Sequence, residues 1–327
     1  MNTLPRMIWH LDEPSDPVAA CQFQAAELAA RHVKVVLGGD GGDELFGGFD
    51  RYRGVGYVGH YARLPYFARQ RMIGPLINWL PENFTYKSKT QKLRWIHQLS
   101  FLPTLADRYA GATLFFRFDH EDKQTLFTQN FWDRVSDLDS AAVITDEYNR
   151  SDAEDTFGQM LFADYMTRLT EHSLVLTDRM SMAHGLELRS PFLDHELVDF
   201  MAAVPSNLKI NRRNLKSILR KIAIEYLPES IVKRGKQGFM FPIAYWFQNS
   251  LHEFIRSFFE ESFFVREGYF NKDQIIRLIE EHRQNKFDHH VRLWMLLNLE
   301  IWQQIAIENK NVEQVTEEIK KHLYASV

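Results

Sequence analysis

The chain has 327 residues, of which 45% are hydrophobic and 25% charged, with a formal net charge of −4. This ordinary globular composition excludes a disordered or low-complexity chain, and the charge gives no general attraction to nucleic acid or to anionic membranes. No apolar run reaches transmembrane length, residues 1–16 lack the positive and apolar regions of a signal peptide, and the single Cys21 cannot form an internal disulfide, so a cytoplasmic protein is expected.

Length allows one large domain or two smaller ones. Met7–Leu11 (MIWHL) reads as a short strand, and Asp12–Pro17 as a loop. Asp16 is a good N-cap with Pro17 at the first helical position; Val18, Ala19, Phe23, Ala26, Leu28 and Ala29 then predict a helix to about Arg31. Val33–Leu37, rich in β-branched residues, predicts a strand buried on both faces. Strand, helix and strand make the unit from which parallel sheets are built.

Straight after that strand come Gly38, Gly39, Gly41 and Gly42, interrupted by Asp40 and followed by Asp43 and Glu44. Glycines at this density let the backbone turn and let a ligand approach its N–H groups. Ligands of open parallel sheets bind beyond the carboxyl ends of the strands. The loop is neither a Walker loop, nor GxGxxG, nor an EF-hand. Acidic residues alone repel phosphate, so the pattern implies either a magnesium ion carrying phosphates or a base. A solvated acidic turn is the bland reading; the preceding strand and the hydrophobic residues Leu45, Phe46 and Phe49 favour a site.

Residues 57–131 read as helical, broken at Pro65, Pro75, Pro81 and Pro103, with a small basic cluster at 87–92 (KSKTQK) that reads as a solvated face. Residues 132–155 form a polar connector with a short helix. Apolar residues from Phe157 to Leu169 recur at three and four and predict a long helix over 155–184, ended by Gly185. Pro191 and Asp194 open the next helix, and Asn211 or Asn214 caps another containing Leu215, Ile218, Leu219 and Ile222. The last third is amphipathic helix with a polar tail. His282, His289 and His290 match no zinc spacing and read as structural or exposed.

Residues 38–52, GGDGGDELFGGFDRY, resemble the SGEGADELFGGY signature of the glutamine-hydrolysing asparagine synthetases, in their synthetase domain. Two later stretches match that family in order: 178–194, DRMSMAHGLELRSPFLD, and 233–239, KRGKQGF. The resemblance implies an α/β, mostly helical fold of the PP-loop ATP pyrophosphatase type. An incomplete doubly wound parallel sheet (adenine nucleotide alpha hydrolase-like) at 1–56 would be followed by a large helical region at 57–327. The family's SGGxDS loop and its Cys-headed glutaminase domain have no match here, so the chain resembles the carboxyl-terminal part of a longer enzyme.

The family's reaction adenylates a carboxylate with ATP and Mg²⁺, then converts it to an amide with glutamine-derived ammonia from a glutaminase domain or subunit. By resemblance, Asp40 is the general base, and Gly38, Gly39 and Gly41 line the nucleotide. Asp43 meets magnesium and pyrophosphate, and Lys236 steadies charge at the α-phosphate and acyl oxygens. Asp178 and Arg179 read either as ion-pairing residues or as direct contacts, and Glu187 with Arg189 as a structural ion-pair set. Aspartate is the implied acceptor. Gly38 replaces the usual serine, and Leu176 stands where asparagine-forming members carry a basic residue, which favours another carboxylate, such as a polysaccharide sugar acid, as the alternative. A non-catalytic fragment or partner subunit is a further alternative, and a homodimer is one option for the assembly.

Overall fold

The computed structural model describes residues 1–81, 88–211, 214–235 and 242–325, the side chains of 324 and 325 excepted. The chain is mostly helical with a small parallel sheet. It opens with a helix, α1 (Leu4–Leu11), where a strand over Met7–Leu11 was expected. The reason lies in a period that begins before Met7. Leu4, Met7, Ile8 and Leu11 fall on one face, and all four are buried. Asp12, at φ 61°, ends the helix with its N–H on the Ile8 carbonyl. Helix α2 (Val18–Ala30) follows; Asp16, the expected cap, accepts the Val18 N–H at 3.0 Å, and Pro17 rather than Asp16 holds the position directly before the helix.

Strand β1 (Val35–Leu37) pairs in parallel with β2 (Glu187–Arg189), Val36 opposite Leu188. The expected burial on both faces is corrected: Val35 is 41% and Leu37 75% exposed. Among the described residues the sheet has two strands, so β1 is paired along one edge, and only its Val36 face turns toward α2.

Between the strands run α3 (Gly42–Phe46), α4 (Asp50–Tyr61), a π-helical segment Ala68–Ile73 continuing into α5 (Gly74–Trp79), α6 (Lys89–Leu99) and α7 (Leu105–Leu114). Pro75 sits in the first turn of α5 rather than breaking it. The expected connector at 132–155 holds two helices, Gln129–Val135 and Ala142–Arg150. The long helix is present over 156–182, capped by the Asp155 side chain on Gly158 N at 2.7 Å, but its middle, Tyr165–Leu174, is π-helical. Gly185, at φ 64°, turns the chain back into β2. Asp194 caps the helix His195–Ala203 as expected. Neither Asn211 nor Asn214 stands at the cap of the next helix, Ser217–Ala223; that position is held by Lys216, at a left-handed φ of 52° and with no side-chain cap bond.

The main core joins the two ends of the chain. Met7 and Ile8 of α1, Phe23 of α2, and Leu176 and Met180 of the long helix pack with Phe254, Leu297 and Ile301 of the C-terminal helices. A second cluster around Tyr52, Tyr109 and Met160 supports α4, and a third, Leu45, Phe46 and Met201, seats α3. No helix among the described residues is long and apolar enough to cross a membrane.

The three C-terminal histidines are buried and structural. His282 Nε2 bonds the Ala244 carbonyl at 2.9 Å and its Nδ1 accepts the His289 N–H at 3.2 Å, so the ring is held neutral. Asp288 pairs with His290 at 2.6 Å, and Glu281 with His289 at 2.8 Å. Burial, against the pull of Asp288, lowers the His282 pKa to about 4. Its stabilising contribution is therefore complete above the unfolded value of 6.5 and is lost as pH falls toward 4. We expect wild type to lose up to about 3 kcal/mol more stability than His282→Gln between neutral pH and pH 4, measured by denaturant unfolding. Parallel pH profiles for the two proteins would refute this account.

Candidate functional site

The site is built at the carboxyl end of β1. Gly38 N–H donates to the Arg189 carbonyl at 2.8 Å, extending the ladder one residue past the strand. The chain then turns sharply. Gly41 adopts φ 81°, and a Cβ there would lie 2.2 Å from Leu193 Cδ2, so conformation and space both require glycine. A Cβ on Gly39 would meet nothing within 4 Å, which leaves its backbone open to a ligand.

Asp40 points into a cleft of about 330 Å³ between α2, the sheet and the long helix. Ala25, Ala26, Leu186 and Leu188 give the cleft apolar walls; Gln22, Thr177 and Asp40 supply polar groups. Thr177 Oγ1 donates to Asp40 Oδ1 and Ser190 Oγ to Oδ2, each at 3.4 Å, and Gln22 Nε2 donates to Thr177 Oγ1 at 3.1 Å. Burial raises the Asp40 pKa above the ordinary carboxylate value, and the two hydroxyls work against that rise. A carboxylate so placed is a stronger proton acceptor than one in water.

The next two acids sit in the first turn of α3 and meet different surroundings. Asp43 pairs with Lys216 Nζ at 2.6 Å, both side chains partly exposed. Lys216 reaches it from the left-handed backbone noted above, with its N–H on the Gly47 carbonyl at 3.3 Å. A Cβ on Gly48 would lie 1.9 Å from Asp43 Oδ1 and 2.3 Å from Lys216 Cε, so this glycine makes room for the pair.

Glu44 is 5% exposed. Burial pushes its pKa to about 7, with Asp164 and Asp43 adding to the rise and its own backbone N–H and Arg51 opposing it. Beneath it, Asp164 accepts hydrogen bonds from Arg51 and from Tyr52 OH at 2.5 Å, and Arg51 Nε donates to Tyr109 OH at 3.2 Å. This buried group locks α4, α7 and the long helix together under the loop.

Of the residues singled out in the sequence, the fold brings Gly38, Gly39 and Asp40 to one cleft, with Gly41 at the turn and Asp43 just beyond it. Asp178 and Arg179 are exposed, and Arg179 donates to the Leu11 carbonyl, tying the long helix to α1. Glu187 and Arg189 pair with each other at 2.8 Å, 54% and 67% exposed, on the face of β2 opposite Leu188. The ion pairing expected of them is present, but on the surface, where it is worth little to stability. Lys236 lies outside the described residues.

Leu176 is buried in the main core beside Met180, so its apolar character follows from packing; its neighbour Thr177 is the residue that faces the cleft. Sequence reasoning missed Thr177, Ser190 and Lys216. None carries a local signal, because each becomes relevant only through pairing across more than a hundred residues. Among the described residues no group of three or more His, Cys, Asp or Glu side chains is placed to hold a metal ion. Asp43 offers one carboxylate there, and its Oδ1 is paired with Lys216.

The elevated Glu44 pKa has a consequence for stability. The folded state holds the proton more tightly than the unfolded chain, so stability falls as pH rises from 4.5 through 7. We expect Glu44→Gln to match wild type at the low end of that window and to be more stable above it, by up to about 3 kcal/mol in denaturant unfolding. A variant no more stable than wild type above neutrality would exclude a protonated Glu44.

The family model for asparagine synthase matches residues 1–304. Glutamine-hydrolyzing asparagine synthetase 1 of Bacillus subtilis is 32% identical over 326 residues, 99% of this chain and 49% of that protein. The putative glutamine-hydrolyzing asparagine synthetase of Mycobacterium tuberculosis is 33% identical over 317 residues, 96% of this chain and 46% of its own length. Amidase chyE of Penicillium rubens is 25% identical over 271 residues, 76% of this chain and 38% of that protein. The chain spans about half the length of the first two relatives.

Proposed function

We propose a function from the premise that the chain belongs to the asparagine synthase family: it is the carboxylate-activating part of an ATP-dependent amide-forming ligase. The carboxylate oxygen attacks the α-phosphorus of ATP and pyrophosphate leaves. Ammonia then attacks the acyl carbon of the adenylate, AMP departs, and one proton is removed from nitrogen. The names of the relatives give glutamine hydrolysis and asparagine synthesis, which makes glutamine the ammonia source and aspartate the acceptor to test first.

The observation that carries this reading is Asp40. It stands at the carboxyl end of a parallel strand, in a cleft with apolar walls, with a raised pKa and two hydroxyls that fix its oxygens. Those features suit the base that takes the proton from the attacking nitrogen. The open backbone at Gly39 supports close approach of the nucleotide. Asp43 would hold Mg²⁺ together with phosphate oxygens, and the ion would offset negative charge between carboxylate and triphosphate. Lys216, already beside Asp43, adds fixed positive charge where pyrophosphate forms, a role the resemblance gives also to Lys236.

The exposed outer side of β1 favours a second reading, a non-catalytic fragment or partner subunit, because a nucleotide-binding parallel sheet is ordinarily covered on both faces. Calorimetry with ATP and Mg²⁺ separates the two, and absence of binding supports the second. For the catalytic reading, ATP–pyrophosphate exchange with aspartate and a panel of sugar acids identifies the acceptor. Asp40→Asn should retain exchange while amide formation from ammonium falls by roughly 10²- to 10⁴-fold. Equal loss of both steps would remove Asp40 from the base role.

A further inference from the structure

The formal charge of −4 conceals a local reversal. Residues 62–100 hold seven of the chain's 39 Lys and Arg but one of its 43 Asp and Glu, Glu82. In the same segment the helical rod formed by Ala68–Ile73 and α5 turns large apolar side chains outward. Met72 is 61%, Leu76 68% and Trp79 84% exposed, and their spacing of four and three puts them on one helix face. Phe67 and Tyr66, just before the rod, are 60% and 58% exposed. On the opposite face Arg69, Gly74 and Ile77 are buried.

The rod is fastened at both ends. Arg69 donates to the carbonyls of Leu64 and Ser100, at 3.1 and 2.6 Å. Arg94 of α6 donates to the Leu80 carbonyl at 2.7 Å, directly after Trp79. The apolar face is therefore presented by a fixed element. Arg63, Arg71, Lys89 and Lys92 are exposed on the rod, on the loop before it and on the helix to which its end is tied.

We propose that this face docks on an anionic phospholipid surface, lying flat in the interface with Phe67, Met72 and Leu76 toward the acyl chains and Tyr66 and Trp79 at the headgroup boundary. An apolar helix face bordered by Lys and Arg has the composition of interfacial helices. Trp and Tyr favour the headgroup level, and each basic residue near an anionic leaflet adds a favourable increment. A contiguous exposed apolar face of this kind marks an interaction surface. Aliphatic Met72 and Leu76 between the aromatic residues fit acyl chains better than stacked bases. The proposal does not depend on the reaction assigned above, since none of these residues lines the Asp40 cleft.

The test is co-sedimentation of the full chain with vesicles of phosphatidylcholine alone and of phosphatidylcholine with phosphatidylserine, at low and high salt. Binding should require phosphatidylserine and weaken with salt. The double variant Leu76→Ser, Trp79→Ser should abolish it, and each charge removed in Arg63→Gln or Arg71→Gln should weaken it roughly fivefold, as about 1 kcal/mol per cation implies. Because these side chains are exposed, thermal unfolding of the variants should match wild type, which separates lost docking from lost folding. No vesicle binding, equal binding without phosphatidylserine, or undiminished binding by the double variant each overturns the proposal. So does self-association, or retention of a single-stranded oligonucleotide, that disappears in the double variant while vesicles are not bound.

Discussion

Three residue pairs of parallel β structure, Val35 to Leu37 against Glu187 to Arg189, hold together parts of the chain some hundred and fifty positions apart. The hydrogen bond from Gly38 N–H to the Arg189 carbonyl extends that pairing into the loop. Ser190, the residue after β2, thereby comes within reach of Asp40. Thr177 arrives from the other side because the long helix ends and turns through Gly185 directly into β2. If the register slipped by one residue, Leu188 would face outward and the cleft would lose its floor. A short sheet therefore sets the geometry of every group around Asp40.

Three carboxylates within five residues of one another are kept distinct by their surroundings. Asp40 is partly desolvated and held by hydroxyls, Asp43 is matched by a cation, and Glu44 is buried above the Arg51–Asp164 group. Environments that separate neighbouring acids give one loop a desolvated acid, an ion-paired acid and a buried packing group side by side. The arrangement needs the long helix as much as the loop. Asp164 lies at its passage into π-helical geometry, where an extra residue per turn re-aims the side chains that follow.

Elements governed by local chemistry were legible in the sequence. The long helix, the turn at Gly185 and the start of the next helix at Asp194 follow from periodicity and capping preference, and the glycine loop from its composition. The failures share a cause. Residues Met7–Leu11 looked like a strand because a five-residue window cannot distinguish a period of two from one of 3.6 when the pattern starts at Leu4. β1 looked buried because its residues suit a central strand, whereas only one edge of it is paired among the described residues. Lys216 gave no signal, since a lysine in left-handed conformation opposite Asp43 is a tertiary fact. Leu176 shows the converse, because a substitution that reads as a change of specificity is explained by its place in the core.

Average charge misleads for the same reason that average hydrophobicity does. The field at a surface is set by which residues are brought together within a Debye length, about 10 Å at moderate salt, and more distant charges are screened. The segment 62–100 is almost free of carboxylates, and buried Arg69 and Arg94 donate hydrogen bonds to carbonyl oxygens. Those bonds hold the rod against α6. The exposed Arg63, Arg71, Lys89 and Lys92 are the cations that border its apolar face. Fastening and charge are therefore divided between buried and exposed basic residues of the same segment.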